Sequence, residues 1–140
     1  MILIVDTNII IAALIKEGKT RELLIDSPFL LYAPEMVIGE IQKHRELIIE
    51  KSGLAENDLK SLLGLLLESI NVVEKESFLH KMQEASELIG EADKGDVPFL
   101  ALALSTPNDG IWTANVQHFR AQNKIRVWTT AELLEMLPHG

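Results

Sequence analysis

The sequence predicts a three-layer α/β domain built on a mainly parallel sheet of roughly five strands. Short, wholly apolar runs rich in β-branched residues recur along the chain, which is how strands covered on both faces of a parallel sheet read. Helical segments separate them, and residues able to do chemistry fall where strands end. In open sheets of this kind ligands bind in the crevice outside the strands' carboxyl edge, at a topological switch point.

Ile2-Leu-Ile-Val5 is the first strand and ends abruptly in Asp6-Thr7-Asn8. An apolar helical segment runs from Ile9 to Ile15 and is stopped by Gly18; Thr20 then caps a short helix through Ile25 that ends near Pro28. Phe29 to Ala33 is a second strand. Pro34 starts a helix expected to continue to Lys51, with Met36, Val37, Ile41 and Ile48 inward and Glu40 among them. Asn57 or Asp58 caps a leucine-dense helix from Leu59 to Leu67. Asn71-Val-Val73 is a short strand, and a polar amphipathic helix from Ser77 to Ile89 turns Phe78, Met82, Ala85, Leu88 and Ile89 inward. The run from Val97 to Leu104 is a buried helix: Pro98 is tolerated in a first helical turn but removes a ladder hydrogen bond from a central strand. Pro107-Asn-Asp-Gly110 is a turn, Ile111-Trp-Thr113 a buried strand and Ile125 to Trp128 the last strand. Thr129-Thr-Ala-Glu132 reads as a capping box that opens a terminal helix stopping before Pro138.

At 140 residues the chain is the size of one domain, so residues 1–140 are expected to share a single core. Hydrophobic residues make up 47% of it, yet no apolar run reaches the length of a membrane span and Asp6 interrupts the only apolar N-terminal stretch. A soluble, cytoplasmic protein with no membrane partner is expected. The absence of cysteine excludes disulfides, thiolate zinc sites and cysteine nucleophiles, so any metal is held by oxygen or imidazole. A net charge of −8 argues against unassisted binding to a polyanion. That objection weakens if divalent cations neutralise several acids at one site, leaving Lys16, Lys19, Arg21, Lys43, Arg45, Lys94, Arg120 and Lys124 as candidate phosphate contacts.

Asp93 and Asp96 sit three residues apart just ahead of the buried helix, where the structural expectation is that they cap it and complement its dipole. Glu40 falls on the inward side of its helix, and a glutamate there needs a partner, such as Lys43 or His44, or a metal. Asp6 ends the first strand, Asn115 the fourth, and all five are expected at the sheet's carboxyl edge. Like charges so gathered repel unless cations join them, and hard divalent cations take oxygen ligands. Asp109 precedes its strand and belongs at the opposite edge. Gly18-Lys-Thr20 lacks the earlier glycine and the leading strand of a phosphate-binding loop. Asp6-Thr-Asn8 lacks the second acid of an aspartyl-phosphate phosphatase. His44, His80, His118 and His139 are too scattered for a zinc signature and are expected at surface or boundary positions. Trp112 and Trp128 fall within strands, which favours core packing over base stacking.

At these residues the chain resembles the PIN domain family, and within it the small prokaryotic ribonucleases that include VapC-type toxins. The resemblance runs through the opening strand and Asp6-Thr-Asn8, Pro34-Glu-Met-Val-Ile-Gly-Glu40-Ile, Asp93-Lys-Gly-Asp-Val-Pro-Phe-Leu-Ala-Leu-Ala103, and Ile111-Trp-Thr-Ala-Asn-Val-Gln-His-Phe119, in that order. It implies a PIN-like fold and an Mg²⁺- or Mn²⁺-dependent endoribonuclease in which Asp6, Glu40 and Asp96 match the three central acids, with Asp93 a neighbouring acid. Asp6, Glu40, Asp93, Asp96 and Asn115 are the candidate metal ligands; Thr7, Asn8, Lys43, Lys94 and Thr113 are the candidate substrate contacts. Single-stranded or structured RNA is the implied substrate, and an antitoxin protein the implied partner if the toxin likeness holds. Family members commonly carry aspartate where this chain has Asn115, and an amide is a neutral, weaker ligand for a hard cation. Weak occupancy of a second metal position and slow cleavage are expected, unless Asp93 supplies the charge. The competing expectation is a PIN-like module that binds RNA or protein without cutting. The leucines from Leu59 to Leu67 carry more apolar surface than one helix face buries, which predicts a homodimer, against the alternative of a helix covered on two sides within the monomer.

Overall fold

Ile2–Val5 form a strand because the run is apolar and mostly β-branched, with no polar side chain to accommodate before Asp6. In the computed structural model, which describes residues 1–89 and 94–138, this strand, β1, is the middle of a five-stranded sheet. β2 (Leu30–Pro34), β3 (Ile70–Val73), β4 (Ile111–Trp112) and β5 (Val127–Trp128) complete it in the order β3-β2-β1-β4-β5. Every neighbouring pair is parallel, with Leu3 beside Leu31 and Val5 beside Trp112. The chain thus builds outward from β1 on one side, then returns to build outward on the other. The crevice between the carboxyl ends of β1 and β4 is the topological switch point.

Helices flank the sheet in the predicted three-layer α/β arrangement: α1 (Thr7–Ile15), α2 (Lys19–Ile25), α3 (Met36–Lys43), α4 (Arg45–Ser52), α5 (Glu56–Glu68), α6 (Met82–Ile89), α7 (Val97–Ser105), α8 (Val116–Phe119) and α9 (Thr130–Met136). α7 is the most deeply set, buried without interruption from Val97 to Ala103 with Pro98 in its first turn. Trp112 is fully buried and Trp128 nearly so, as packing residues. Their indole N–H groups are satisfied by Thr130 Oγ1 at 2.9 Å and by the Asp109 carbonyl at 2.8 Å. Asp109 accepts from the Ile2 N–H at 2.8 Å and so lies at the amino edge of β1, away from the crevice. The capping box at the start of α9 is present, and the Thr129 N–H and hydroxyl hold Glu132 below the ordinary carboxylate pKa. Among the described residues no helix is long and apolar enough to cross a membrane.

Four expected elements differ. α2 begins at Lys19 with Gly18 in the cap position, so Thr20 lies inside the helix and gives its hydroxyl to Thr130 instead of capping it. Pro34 closes β2, pairing in register with Val73, and the following helix begins at Met36 and breaks at His44, so the expected single helix to Lys51 is two. No proline or glycine sits at the break; the turn at His44 lets α4 pack against α1 and bury Ile48 completely, a tertiary demand that local propensity does not carry. The expected helix from Ser77 is instead two 3-10 turns, Lys75–Ser77 and Leu79–Lys81, ahead of α6. Phe78 lies between them fully buried. α5 starts at Glu56 with Ala55 as its cap residue and no side-chain cap, so neither Asn57 nor Asp58 caps it. Glu56 and Asp58 instead complement the dipole from within the first turn. Leu59 and Leu66 are buried and Leu62 and Leu63 pack against the core, which leaves Leu65 as the exposed leucine of the stretch at 43%.

Candidate active site

Asp6 follows the last residue of β1 and is held by both strands at the switch point. The Thr7 N–H donates to Oδ1 at 2.8 Å, while the Thr113 hydroxyl at 2.7 Å and the Asn8 amide at 3.1 Å donate to Oδ2. Asn8 also accepts from the Ala114 N–H at 3.0 Å and the Thr113 oxygen accepts from the Asn115 N–H at 2.9 Å, so the loops after β1 and β4 are tied together beneath the carboxylate. Asp6 is only 4% exposed. Burial pushes its carboxyl above the ordinary value, and the donors Thr113, Thr7 and Asn8 together with the nearby His118 pull the other way. Thr113→Val keeps the shape and removes the hydroxyl. It is expected to destabilise the fold by about 1–3 kcal/mol, because a buried acceptor loses its shortest donor. The deficit in a urea melt should shrink as the pH is lowered and Asp6 takes up a proton; an equal deficit at all pH values would contradict this.

Asp96 comes from the opposite direction in sequence, at the end of a 3-10 turn, Lys94–Asp96, that runs into α7. It occupies the residue before the helix but makes no side-chain cap hydrogen bond, so the capping role expected of it is not what its carboxylate does. Its Oδ2 lies 2.9 Å from Nδ1 of His118, which α8 presents from the loop after β4. Glu40, half-buried on α3 between the core residues Val37 and Ile41, faces the same place. A cleft of about 140 Å³ is lined by Asp6, Thr7, Asn8, Ile11, Glu40, His44, Asp96, Asn115 and His118. The three acids that the family resemblance implied as central, Asp6, Glu40 and Asp96, are therefore brought to one cavity. Asp93 lies outside the described residues, as does His139.

Two expectations about smaller residues need correction. Thr113 is fully buried and its hydroxyl is spent on Asp6, and Asn8, half-buried in the cleft wall, gives its amide to Asp6 and ties the two loops together, so both support the acid. Thr7 differs: it is 4% exposed, lines the cleft, and its hydroxyl has no hydrogen-bond partner among the described residues. Asn115 is exposed at the rim, with no side-chain cap bond to α8. Lys43 and Lys94 are exposed and do not line the cleft. Of the other basic candidates, Arg21 donates to the Ala13 and Leu14 carbonyls at the end of α1 and Arg45 is paired with Glu56. Lys19 and Lys124 lie near Glu22 and Glu84. Arg120 stands apart, lining with Asn115 and His118 a second groove of about 370 Å³ that continues from the cleft.

His118 is the residue that reading the sequence missed. Comparing the four histidines with one another for a zinc pattern hides it; the signal lay in its position three residues after Asn115, in the loop that follows a strand of the switch point.

The donor chemistry suits a hard divalent cation. Among the described residues no three His, Asp or Glu side chains stand close enough together to hold a metal ion between them. Magnesium does not require three, since it is usually bound by one or two carboxylates with waters and substrate oxygens completing the shell. Asp6 and Asp96 supply the carboxylates, and Glu40 lines the same cavity. The family model for the PIN domain matches the chain over residues 4–137, nearly its whole length. A comparison with curated proteins finds no match.

Proposed function

Since the chain belongs to the PIN domain family, whose fold is of nuclease type, we propose that it is a divalent-metal-dependent endoribonuclease that hydrolyses RNA phosphodiester bonds. The observation that carries the proposal is the gathering of Asp6, Glu40 and Asp96, from three distant parts of the sequence, in one small polar cleft at the switch point. Asp6, Asp96 and Glu40 would hold Mg²⁺ or Mn²⁺, and Asp93 and Asn115 are the proposed outer members of that set. When bound, the cation supplies an activated water and stabilises charge on the phosphate.

The chain's own residues do the rest. Thr113, Thr7 and Asn8 fix the Asp6 carboxylate in one rotamer and keep it able to carry charge despite burial. Thr7, which lines the cleft, is a proposed contact to the RNA. Lys43, Lys94 and Arg120 draw the RNA backbone toward an otherwise acidic protein. No side-chain nucleophile is needed, because hydrolysis uses water.

Incubation with a single-stranded RNA should give cleavage that requires Mg²⁺ or Mn²⁺ and stops on chelation. Asp96→Asn should lower the rate by about 10²-fold or more, the scale on which electrostatic elements of active sites act. Metal binding by calorimetry without any cleavage would favour the alternative, a catalytically weak or inactive PIN-like module that binds RNA or protein, which the neutral Asn115 at the rim supports. A toxin role with an antitoxin partner is a narrower form of the proposal. A homodimer is supported by the exposed Leu65 on α5 and Leu47 on α4, and light scattering at micromolar concentration tests it.

A further inference from the structure

We propose that His118 is a metal ligand of this site, an imidazole standing in for the carboxylate that Asn115 does not provide, and that it shifts the site's preference from Mg²⁺ toward Mn²⁺. The proposal rests on the metal-dependent reading above and adds a residue and a selectivity to it.

Five observations converge. α8 is short, and Phe119, fully buried, anchors it, so the neighbouring His118 is carried by a fixed backbone at the cleft's edge. Its Nδ1 lies 2.9 Å from Oδ2 of Asp96. Adjacent ligands about 2.1 Å from one octahedral ion are about 3.0 Å apart, so with Nδ1 unprotonated the pair can flank one ion without moving apart. Asn115, in contrast, is exposed at the rim. The imidazole also lines the same cleft as Asp6, Glu40 and Asp96. His118 remains 39% exposed at the side chain, so water and a hydrated ion can reach it.

The consequence is chemical selectivity. Carboxylates and waters suit Mg²⁺, whereas imidazole favours later first-row ions, and Mn²⁺ accepts both donor types. A site with nitrogen in place of one carboxylate oxygen loses charge, which weakens Mg²⁺ more than Mn²⁺.

The test uses Mn²⁺ alone with the full chain. Titration followed by the electron paramagnetic resonance of free Mn²⁺ measures binding, and electron spin echo envelope modulation of the bound ion reports a coordinated ¹⁴N. The native chain should bind Mn²⁺ with ¹⁴N coupling. His118→Asp should still bind Mn²⁺ but lose the coupling, and the ratio of its Mg²⁺ to Mn²⁺ dissociation constants should fall by about tenfold or more. His44 lines the same cleft, so His44→Gln should leave the coupling in place. Mn²⁺ binding that depends on Asp6 and Asp96 yet shows no ¹⁴N coupling would overturn the assignment of His118 while leaving the metal-dependent reading intact. Coupling that survives in His118→Asp and vanishes in His44→Gln would overturn it in favour of the other histidine. No Mn²⁺ binding in the native chain would overturn both.

Discussion

Asp6→Asn is expected to lower RNA cleavage by about 10³-fold, the largest effect on activity of any single substitution in the cleft, while the protein still folds. The loss follows from position: Asp6 is the most deeply buried acid lining the cavity, and its charge is what a cation there would meet. Stability should respond differently. Burial raises the pKa of Asp6 above its ordinary 3.8, so the folded chain binds that proton more tightly than the unfolded chain does. Its contribution to stability is therefore fully present below pH 3.8 and is lost as the pH rises through the higher folded value. At neutral pH the ionised carboxylate is held against a desolvation cost, which the amide relieves. Against this, one of the three donors around the carboxylate then meets an NH₂ group, a loss of about 1 kcal/mol. The two effects oppose each other, so a denaturation midpoint close to the native one is expected at pH 7, with a flatter dependence on pH on the acid side. Cleavage at the native rate would remove Asp6 from the proposed chemistry. A protein unable to fold would show instead that the carboxylate is needed for structure.

Gly110→Ala is expected to have the largest effect on stability. Gly110 lies immediately before β4 with a φ of 138°, a conformation that residues with a side chain rarely adopt. A Cβ there would come within 2.5 Å of the Arg126 carbonyl and 2.7 Å of the Trp128 ring. Backbone strain and forced repacking each cost about 1–3 kcal/mol, so the combined destabilisation is roughly 2–6 kcal/mol. The obstacles will not yield cheaply: one is backbone, and the Trp128 indole is held by its bond to the Asp109 carbonyl and stacked under the Arg126 guanidinium. Since β4 carries Thr113 and Asn115 to the crevice, the substitution should also weaken metal binding. A urea melt and Mn²⁺ titration on the same sample would measure both. A melt indistinguishable from the native one would show that the turn can open without consequence.

Much of the architecture was legible in the sequence because it depends on local pattern. Ile2 to Val5 could only be a buried strand, Pro98 chose helix over strand for the run after Asp96, and Thr129 with Glu132 spelled out a cap that forms as expected. The same holds for Asp6, Glu40 and Asp96, whose places relative to strand ends and the inward helix face predicted a shared edge of the sheet, as did the resemblance of their flanking residues to the PIN domain. What failed was of another kind. The break at His44, the 3-10 turns around Phe78 and the uncapped start of α5 arise where distant parts of the chain must be packed, and no local propensity encodes them.

The sequence by itself determined most of the strand and helix pattern, the family, and the place of Asp6, Glu40 and Asp96 at one edge of the sheet, because each rests on short-range spacing. Only the tertiary structure decided what each polar side chain does. Thr113 lies 107 positions from Asp6, and a bond of 2.7 Å between them exists only because β4 returns to pair with β1. The same crossing carries α8 to the cleft and sets His118 against Asp96, turning a histidine that looks isolated in the sequence into a neighbour of two buried acids.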